Sequence, residues 1–478
     1  MSLARKVFAN ISYLLIARTA FRLLTAFVLI YSARYLGVER FGMFETALAW
    51  SNAFLAVNDI GMSTLIVREA ARDEKTMAVY FGNTLFVEVI MSMVLYVGII
   101  AIGIGVGYDP MIITLLMILG AAGLAFEFRK VMRGIFRVML KLKFVAALEI
   151  LNGVLYLLLA IWIFSSFTDL DVGLIGLAHS RLWVNVIIVV ALFIYTLKFV
   201  RPSFAPKLIW PMIKQSYVFT LYNLFFMLYF QIDQIILSIM GTSTDVGIYS
   251  APAKIVTVFL FVPLMVFQVI MPIMYRYSAD DIEKYKRINH LVWRYVAAFG
   301  IPAGIGLWYL APEIVDLVFG DSYASSVPVL AVMGGFLAIR FTGISQGNSL
   351  TTTDRQGLRA LIQVISVGIN IVLDILLIHV YGALGAAYAT LITESLISGS
   401  YLLVSARFLK ESLLRNAVSL IPVLLATAGM IGIIALMRPR FHVIVLVLFG
   451  AISYIILLWI FRFFRTYDRQ LLKQIIKK

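Results

Sequence analysis

Long apolar segments alternate with short polar ones along almost the whole chain. A helix needs about 20 apolar residues to cross the ~30 Å hydrocarbon core of a bilayer, and by this measure the pattern predicts fourteen membrane spans. The segments that connect the spans are short, so we expect no soluble domain between them. The predicted spans lie approximately at residues 12–36, 42–66, 80–106, 110–128, 144–165, 172–197, 216–240, 247–274, 292–316, 327–350, 359–379, 384–405, 415–437 and 441–462.

The composition agrees with this reading and excludes a soluble globular protein. Of the 478 residues, 62% are hydrophobic and only 14% are charged, whereas soluble proteins are about 45–50% apolar and about 25% charged. The chain has no cysteine, so it forms no disulfide. The first span carries arginines and lacks a small-residue cleavage site, and we expect it to be retained rather than removed as a signal peptide. We predict an all-α polytopic membrane protein.

The lysines and arginines indicate how the spans are oriented. With fourteen spans both termini lie on one side, and 31 of the 40 basic residues fall on that side, against three on the other. Because cytoplasmic loops are enriched in basic residues, we expect both termini in the cytoplasm and the protein in the cytoplasmic membrane. The basic residues are spread over many loops, which argues against a nucleic-acid partner. Segment 128–144 is predicted to be a cytoplasmic loop, solvated or in contact with anionic lipid.

The chain contains an internal repeat. Ser12–Gly37 aligns without a gap on Ser216–Gly241 at an offset of 204, and Gly42 and Gly247 follow at 205. Residues 173–182 align on 382–391 at 209. An even number of spans separates the copies, so they would be parallel, which is one known plan of transporters.

This repeat predicts two pseudo-symmetric six-helix lobes and an additional helix pair. The first lobe comprises 1–197, with spans 1–6, and the second 216–406, with spans 7–12. Residues 198–215, with three prolines, are expected to form a cytoplasmic linker. Residues 407–478 hold spans 13 and 14 and a basic cytoplasmic tail.

Several motifs resemble one family of transporters. "ARYLGVERFGMFETALAW" with "NDIGMSTLIVREAAR", then "DQIILSIMGTSTDVGIYSAPAKIVTVFLFVP" and "YGALGAAYATLI", are similar in order and spacing to polysaccharide exporters of the multidrug/oligosaccharidyl-lipid/polysaccharide (MOP) flippase superfamily. The resemblance implies two lobes around a central cavity, lined mainly by spans 1, 2, 7 and 8. It also implies a lipid-linked oligosaccharide as cargo, carried on a polyprenyl phosphate or diphosphate and translocated by alternating access.

Two arginines lie deep in the first span. Arg18 and Arg22 are four residues apart and share a helix face, about 9 and 15 Å from the cytoplasmic end at ~1.5 Å per residue. An arginine at this depth costs ~2.5–3.5 kcal/mol or more, so it needs water, an internal partner or an anion. Its planar guanidinium suits the phosphate of a lipid carrier. The alternative is a structural pair with Asp59 or Glu88 that joins spans 1–3.

Lys254 in span 8 and Asp59 in span 2 complete the predicted substrate-binding set with Arg18 and Arg22. The resemblance implies that a cation at position 254 faces the cavity, although Lys254 and Asp233 lie at similar depth and could also pair. The other charges within spans have simpler explanations. Arg181 and Arg340 are expected to pair with Glu394 or another carboxylate. The charges near enough to span ends to reach the interface are Arg34, Glu45 and Glu149.

A second set of polar residues predicts a cation site. Asn370 and Asp374 share a face of span 11, and Asp233 and Thr390 lie in spans 7 and 12. Their oxygens are hard ligands suited to a hard cation, and the resemblance implies a sodium site, because some lipid flippases of the superfamily bind sodium in the second lobe with this pattern. Glu394, one turn beyond Thr390, departs from the pattern and would allow proton coupling instead. The alternative is a buried polar network; Na⁺ or H⁺ is the only cofactor expected.

Two other functions remain open. A multidrug exporter of the same fold would prefer an acidic, aromatic cavity, which cations on the cavity helices disfavour. A membrane glycosyltransferase or polymerase usually needs a larger external loop than the roughly ten-residue loops here. The "GIGVG" at 103–107 lacks the spacing of a nucleotide loop, so an ion gradient or consumption of the product is expected to supply energy. We expect a monomer whose partners are the lipid-linked cargo, membrane lipids and, as candidates, polysaccharide-assembly proteins.

Overall fold

The computed structural model describes residues 3–55, 58, 61–410 and 412–464, without the side chains of 3–12, 14–15, 217–230 and 413–415. The described residues form α-helices joined by short turns and three short 3₁₀ segments. The helices are α1 Leu3–Leu55, α2 Met62–Arg72, α3 Met77–Val106, α4 Pro110–Val138, α5 Leu142–Ser166, α6 Leu170–Leu197, α7 Ile209–Met240, α8 Ser243–Phe259, α9 Phe261–Asp280, α10 Ile282–Tyr309, α11 Ala311–Phe319, α12 Val327–Thr352, α13 Gln356–Tyr381, α14 Ala383–Leu409, α15 Leu413–Ser419, α16 Ile421–Met437 and α17 Val443–Ile460.

The all-α membrane architecture is confirmed. Within the described residues, eleven helical segments are long and apolar enough to cross a membrane, and two shorter apolar helices, Gln231–Met240 and Ile421–Met437, accompany them. Each predicted span coincides with helical structure over most of its length. The protein is therefore a multi-pass membrane protein.

The helix α1 is in fact a hairpin that contains the first two predicted spans. Its backbone breaks at Gly37, where φ is +75° and ψ is 173°. Phe21 stacks on Phe126 of α4. A methyl group on Gly123, one turn away on α4, would lie 2.2 Å from Cδ1 of Leu55. Residues 21 and 55 on one straight helix would be about 51 Å apart at ~1.5 Å per residue. The chain therefore reverses between them, and a glycine at the break tolerates the positive φ.

The end of span 2 differs from the prediction of 42–66. The helix ends at Leu55, and a new helix, α2, begins at Met62 after Gly61, whose φ is +72°. This second helix buries Met62, Leu65 and Ile66 on one side. The prediction carried the span across Asn58 and Asp59, because hydropathy averaged over a window does not report backbone conformation.

Two predicted polar connections are partly helical. Segment 128–144 is not a loop, since α4 continues to Val138. Its apolar residues are buried between arginines spaced four apart, which is the pattern of a helix that packs on one side. The predicted linker 198–215 is also shorter, because α7 begins at Ile209. Pro211 lies in the first turn of α7, where proline is tolerated.

Other spans are interrupted or shifted. Span 8 divides into α8 and α9 at Leu260, and span 13 into α15 and α16 at Leu420. Span 9 begins earlier than predicted, at Ile282, and continues after Leu310 as α11. Charged residues at the start of α10 lowered the local hydropathy and hid nearly three turns of this helix.

The chain forms two compact units, Met1–Ser250 and Ala251–Lys478. In the first unit, the α1 hairpin packs on α4, α5, α6 and α7. A methyl group on Gly42 would lie 1.7 Å from the carbonyl oxygen of Ser243, and one on Gly247 would lie 2.0 Å from that of Val38. Gly42 and Gly247 are equivalent in the sequence repeat. Because neither has a side chain, the backbones of α1 and α8 can approach closely at both positions.

The second unit has its core between α10, α12 and α14. Glycines again permit close approach of backbones: a methyl group on Gly304 would lie 2.3 Å from the carbonyl oxygen of Gly334. The hairpin of α16 and α17 packs on α10 through Val423, Met430 and Leu446. An ion pair between Arg438 and Glu313 joins the end of α16 to α11.

Candidate functional site

The first unit gathers arginines around one buried carboxylate. Arg18 of α1 lies with its Nε 3.9 Å from Oε2 of Glu149 in α5. Arg22, one turn further along α1, is exposed and lies within electrostatic range of Glu149 and Arg133. An exposed arginine inside a membrane span requires water or an anion nearby. Both predicted arginines therefore face the same polar region of this unit.

Helix α4 contributes three more arginines to this region. Arg129, Arg133 and Arg137 recur at every fourth position and so share one face. Nη2 of Arg133 lies 2.9 Å from Oε1 of Glu149, and Arg129 is only 2% exposed. Arg129 and Arg137 also interact electrostatically with Glu149. We call Arg18, Arg22, Arg129, Arg133 and Arg137 the arginine cluster.

The arginine cluster is unbalanced in charge. Five positive charges face Glu149 in the described part of the unit, and Glu127, a further carboxylate near Arg129, is paired with Lys130. Like charges held close together repel, and the repulsion is stronger where water is scarce. An anion bound among the arginines would offset it. The cluster is therefore chemically suited to a phosphate or another multiply charged anion.

A small, partly open pocket adjoins the arginine cluster. Asn185 links the two, because its Oδ1 accepts hydrogen bonds from Arg129 (3.2 Å) and Asn152 (3.1 Å). The side-chain amide of Asn185 in turn donates to the carbonyl oxygen of Ala122 at 3.0 Å. The pocket combines aromatic, amide, hydroxyl and guanidinium groups, which are the groups that contact sugars. It is lined by Phe21, Thr25, Phe126, Asn152, Tyr156, Arg181, Val184 and Asn185.

Arg181 does not have the carboxylate partner that was predicted. Within the described residues it forms no ion pair, and its guanidinium lies 5.9 Å from the ring centroid of Tyr156. Tyr156 is 3% exposed. The arginine thus lines the pocket rather than forming a structural salt bridge.

The structure places the carboxylate of Glu149, which Arg18 contacts, differently from the sequence prediction. Glu149 was expected to reach the membrane interface, but it is 6% exposed and contacts two arginines, so that prediction is wrong. Glu45, with the same prediction, is 1% exposed and also buried. Glu88 is fully buried in α3. Asp59 lies outside the described residues.

The predicted cation ligands belong to different units. Asp233 lies in the first unit, where it is 7% exposed and accepts a hydrogen bond of 2.6 Å from the hydroxyl of Tyr249. Asn370, Asp374 and Thr390 lie in the second. Lys254 also belongs to the second unit, on α8. The convergence of all four ligands, and the pairing of Lys254 with Asp233, stay predictions.

The second-unit ligands lie on one helical hairpin. The helices α13 and α14 meet at Gly382, and a methyl group on Gly385 would lie 2.1 Å from the carbonyl oxygen of Leu377. Counted from that contact, Asp374 and Thr390 differ in height by about 3 Å at ~1.5 Å per residue. Asn370 is 1% exposed, and neither polar atom of its amide has a hydrogen-bond partner among the described residues.

No three His, Cys, Asp or Glu side chains gather into a metal site within the described residues. A cation held at this hairpin would therefore depend on amide and hydroxyl oxygens as well as on carboxylates. These hard, mostly neutral ligands suit a weakly bound monovalent ion better than a transition metal. The buried amide of Asn370 is the group that fits such an ion.

Glu394 has a partner in the second unit. Nη1 of Arg340 lies 2.6 Å from its Oε2, and Ser398 donates a 2.9 Å hydrogen bond to its Oε1. The predicted pairing of Arg340 with Glu394 is confirmed. The carboxylate is 1% exposed, so a role in ion coupling would require it to leave this pair.

Comparison with known proteins agrees with the fold and identifies the family. Residues 7–278 match the model of the family described as polysaccharide biosynthesis protein. The match covers more than half of the chain. The chain belongs to the polysaccharide biosynthesis protein family.

Two relatives come from Haloferax volcanii. "Probable flippase AglR" is 26% identical over 401 residues, which cover 80% of this chain and 79% of the relative. "Probable low-salt glycan biosynthesis flippase Agl15" is 27% identical over 165 residues, and this alignment spans 34% of either protein.

Solved structures share the fold at low sequence identity. The lipid II flippase MurJ in an inward closed conformation has a TM-score of 0.77 at 15% identity, covering 93% of this chain and 98% of that one. An inward-facing multidrug resistance MATE transporter of the MOP superfamily has a TM-score of 0.66 at 15% identity, covering 82% and 94%.

Sequence reasoning missed three arginines of the site. The sequence predicts a cytoplasmic loop at 128–144, so Arg129, Arg133 and Arg137 are expected in solvent or against anionic lipid rather than at the site. Their fourfold spacing, with apolar residues between them, was a helical signal that could have extended α4. Nothing in the sequence alone could have placed Glu149 between α1 and α4.

Proposed function

We propose that the protein is a flippase that moves a lipid-linked oligosaccharide across the cytoplasmic membrane by alternating access. The single observation that carries the proposal is the arginine cluster, an excess of positive charge around the buried carboxylate of Glu149. A polyprenyl phosphate or diphosphate supplies the anion that such a cluster needs. The names of AglR and Agl15 as probable flippases support the same activity, and the name of Agl15 also supports a glycan as cargo.

The chemistry of the cluster suits a phosphate better than a single carboxylate. A guanidinium can donate two parallel hydrogen bonds to phosphate oxygens, and these charge-assisted bonds are stronger than neutral ones. Arg18 and Arg22 would hold the head group, together with Lys254 and Asp59 from the remaining cavity helices. The first sugar would lie beside the adjoining pocket, next to Phe21 and Tyr156.

The membrane arrangement that accompanies this function has fourteen spans. Two pseudo-symmetric six-helix lobes, 1–197 and 216–406, would flank the cavity, joined by the linker and followed by the helix pair and basic tail of 407–478. Both termini would lie in the cytoplasm. The repeat, the charge asymmetry and the reciprocal contacts of Gly42 and Gly247 support this arrangement.

Ion coupling is the part of the proposal that concerns the second unit. Asp233, Asn370, Asp374 and Thr390 would hold Na⁺, with Glu394 as the proton-binding alternative. The buried amide of Asn370 supports a bound ion, since polar groups inside proteins nearly always have partners. The tight pair of Glu394 with Arg340 favours Na⁺ over H⁺.

Reconstitution tests the proposal directly. The purified protein is placed in liposomes with a fluorescent lipid-linked oligosaccharide, and the fraction that reaches the opposite leaflet is measured with and without a Na⁺ gradient. We expect transport that depends on the phosphate of the carrier. Transport of tetraphenylphosphonium in place of the lipid-linked sugar would overturn the proposal in favour of a multidrug exporter.

A further inference from the structure

Glu149 is held in the arginine cluster by charge without well-formed hydrogen bonds. Although Arg133 approaches to 2.9 Å, neither carboxylate oxygen of Glu149 has a hydrogen-bond partner of good geometry among the described residues. Arg18 is further away, at 3.9 Å. Hydrogen bonds are strongly directional, so these contacts are mainly Coulombic.

The same place contains buried donors without acceptors. Nε of Arg129 and Nε of Arg133 are both buried, and neither finds a partner within the described residues. At least 90% of buried polar groups in proteins are paired. Two donors without acceptors and a carboxylate without well-formed hydrogen bonds therefore lie in the same cluster. This arrangement indicates that the cluster suits an anion larger than the carboxylate of Glu149.

We propose that Glu149 is a displaceable counter-ion, which occupies the arginine cluster when the carrier is empty and is released when the cargo's phosphate enters. The inference rests on the proposed function, because it takes the phosphate as the entering anion. A carboxylate has two oxygens and is fixed to α5, whereas the diphosphate of a lipid-linked sugar presents four non-bridging oxygens and can move to the donors. The arginines of α1 and α4 therefore exchange Glu149 for the phosphate.

This exchange has a consequence for both binding and release. While Glu149 occupies the arginine cluster, the phosphate cannot bind there. The apparent Kd for the phosphate is therefore the intrinsic Kd divided by the fraction of protein in which the cluster is free. It also re-forms its contacts as the cargo leaves, which speeds release. In addition, α5 loses its electrostatic link to α1 and α4 while cargo is bound. Glu149 is thus a positioning residue that makes binding reversible.

Pyrophosphate binding to the purified full-length chain tests this role. We expect Glu149→Gln, which keeps the size and removes the charge, to bind inorganic pyrophosphate about 10-fold more tightly than the wild type by calorimetry, equivalent to ~1.4 kcal/mol. Glu127→Gln is the matched control, because it removes one negative charge near Arg129 but leaves the Glu149 contacts in place. It should change the affinity much less. An equal or lower affinity of Glu149→Gln overturns the inference.

Stability provides a second measurement if the repulsion among the arginines loosens this variant. A ligand stabilises the folded state by an amount that grows with the logarithm of its concentration divided by its Kd. Pyrophosphate should therefore raise the melting temperature of Glu149→Gln more than that of the wild type. A variant that stays unstable at saturating pyrophosphate would show that Glu149 is a fixed structural partner, and would overturn the proposal.

Transport separates this inference from the proposed function. In liposomes, Glu149→Gln should lower both the cargo concentration at half-maximal rate and the maximal rate, a split that simple loss of folded protein does not produce. If the wild type moves no lipid-linked sugar while Glu149→Gln still tightens pyrophosphate binding, the proposed function fails and the counter-ion role stands. If transport is normal and this variant behaves as the wild type in both tests, the counter-ion role alone fails.

Discussion

The two units of the chain treat buried charge in opposite ways. In the first, five arginines surround Glu149. Two of their buried N–H donors have no acceptor, and the contacts to the carboxylate are not well-formed hydrogen bonds. In the second, Arg340 and Glu394 form one balanced pair at 2.6 Å, and Ser398 satisfies the remaining carboxylate oxygen. The first arrangement has an excess of positive charge, whereas the charges of the second cancel.

The difference separates a structural role from a binding role. A buried pair that is balanced and hydrogen-bonded offsets its own desolvation and joins two helices, here α12 and α14. An unbalanced cluster raises the energy of the empty protein and needs another anion to lower it. The residue type is arginine in both places, so the distinction lies entirely in what surrounds each guanidinium.

The largest expected effect is on stability, at the balanced pair. Arg340→Ala leaves Glu394 buried without its counter-charge, and breaking such a pair typically costs about 3–5 kcal/mol. We expect a marked fall in the melting temperature of the detergent-purified protein. The double variant Arg340→Met with Glu394→Leu should recover most of the loss, because it removes both charges. A single variant as stable as the wild type would contradict the structural role.

The next effect is on cargo binding, at the unbalanced cluster. Arg22→Ala should abolish export while the protein stays folded, and Arg22→Lys should be partly defective because it keeps charge but not bidentate geometry. Hydrogen bonds to charged groups are worth roughly 1.5–3 kcal/mol, so cargo binding should weaken by about 10- to 100-fold. Binding and melting temperature are measured on the same preparation.

The structural alternative for Arg22 predicts the reverse. If Arg22 balanced a carboxylate, its removal would destabilise the protein, and a second substitution at Asp59 or Glu88 would restore both folding and export. Such a rescue would show that the buried arginines have a structural role in both units.

A smaller effect is expected at the hairpin of α13 and α14. Asp374→Ala should weaken the dependence of transport on Na⁺ by about 10-fold, or ~1.4 kcal/mol, because a buried carboxylate ligand is lost. Thr393→Ala serves as the control, because it removes a buried hydroxyl of α14 that is not among the predicted ligands. Unchanged Na⁺ and H⁺ dependence in Asp374→Ala would show that these residues form a polar network without an ion.

The smallest effect is expected at an exposed pair of the first unit. Nε of Arg40 lies 2.6 Å from Oδ1 of Asp171, but both side chains are partly exposed. Exposed pairs contribute about 0.2–1 kcal/mol, so Arg40→Ala should shift the melting temperature little and leave export unchanged. A large loss of export would mean that positive charge acts in this unit beyond the arginine cluster.

The sequence by itself determined the class of protein and most of its helices. Apolar segments near twenty residues long have no other stable arrangement than membrane helices, because every backbone polar group must be paired within the bilayer. It also indicated Arg18 and Arg22, since charge inside such a segment is costly and therefore conspicuous. The pair of Arg340 with Glu394 followed from the same reasoning.

Only the tertiary structure decided which charges meet. Glu149 and Arg133 come from helices that the chain pattern does not pair, and the extension of α4 turned an assumed loop into a face of three arginines. The breaks at Gly37 and Gly61 likewise depend on backbone conformation, which hydropathy does not record. Hydrophobicity is a property of each residue and can be read along the chain, whereas balance of charge is a property of neighbours in space.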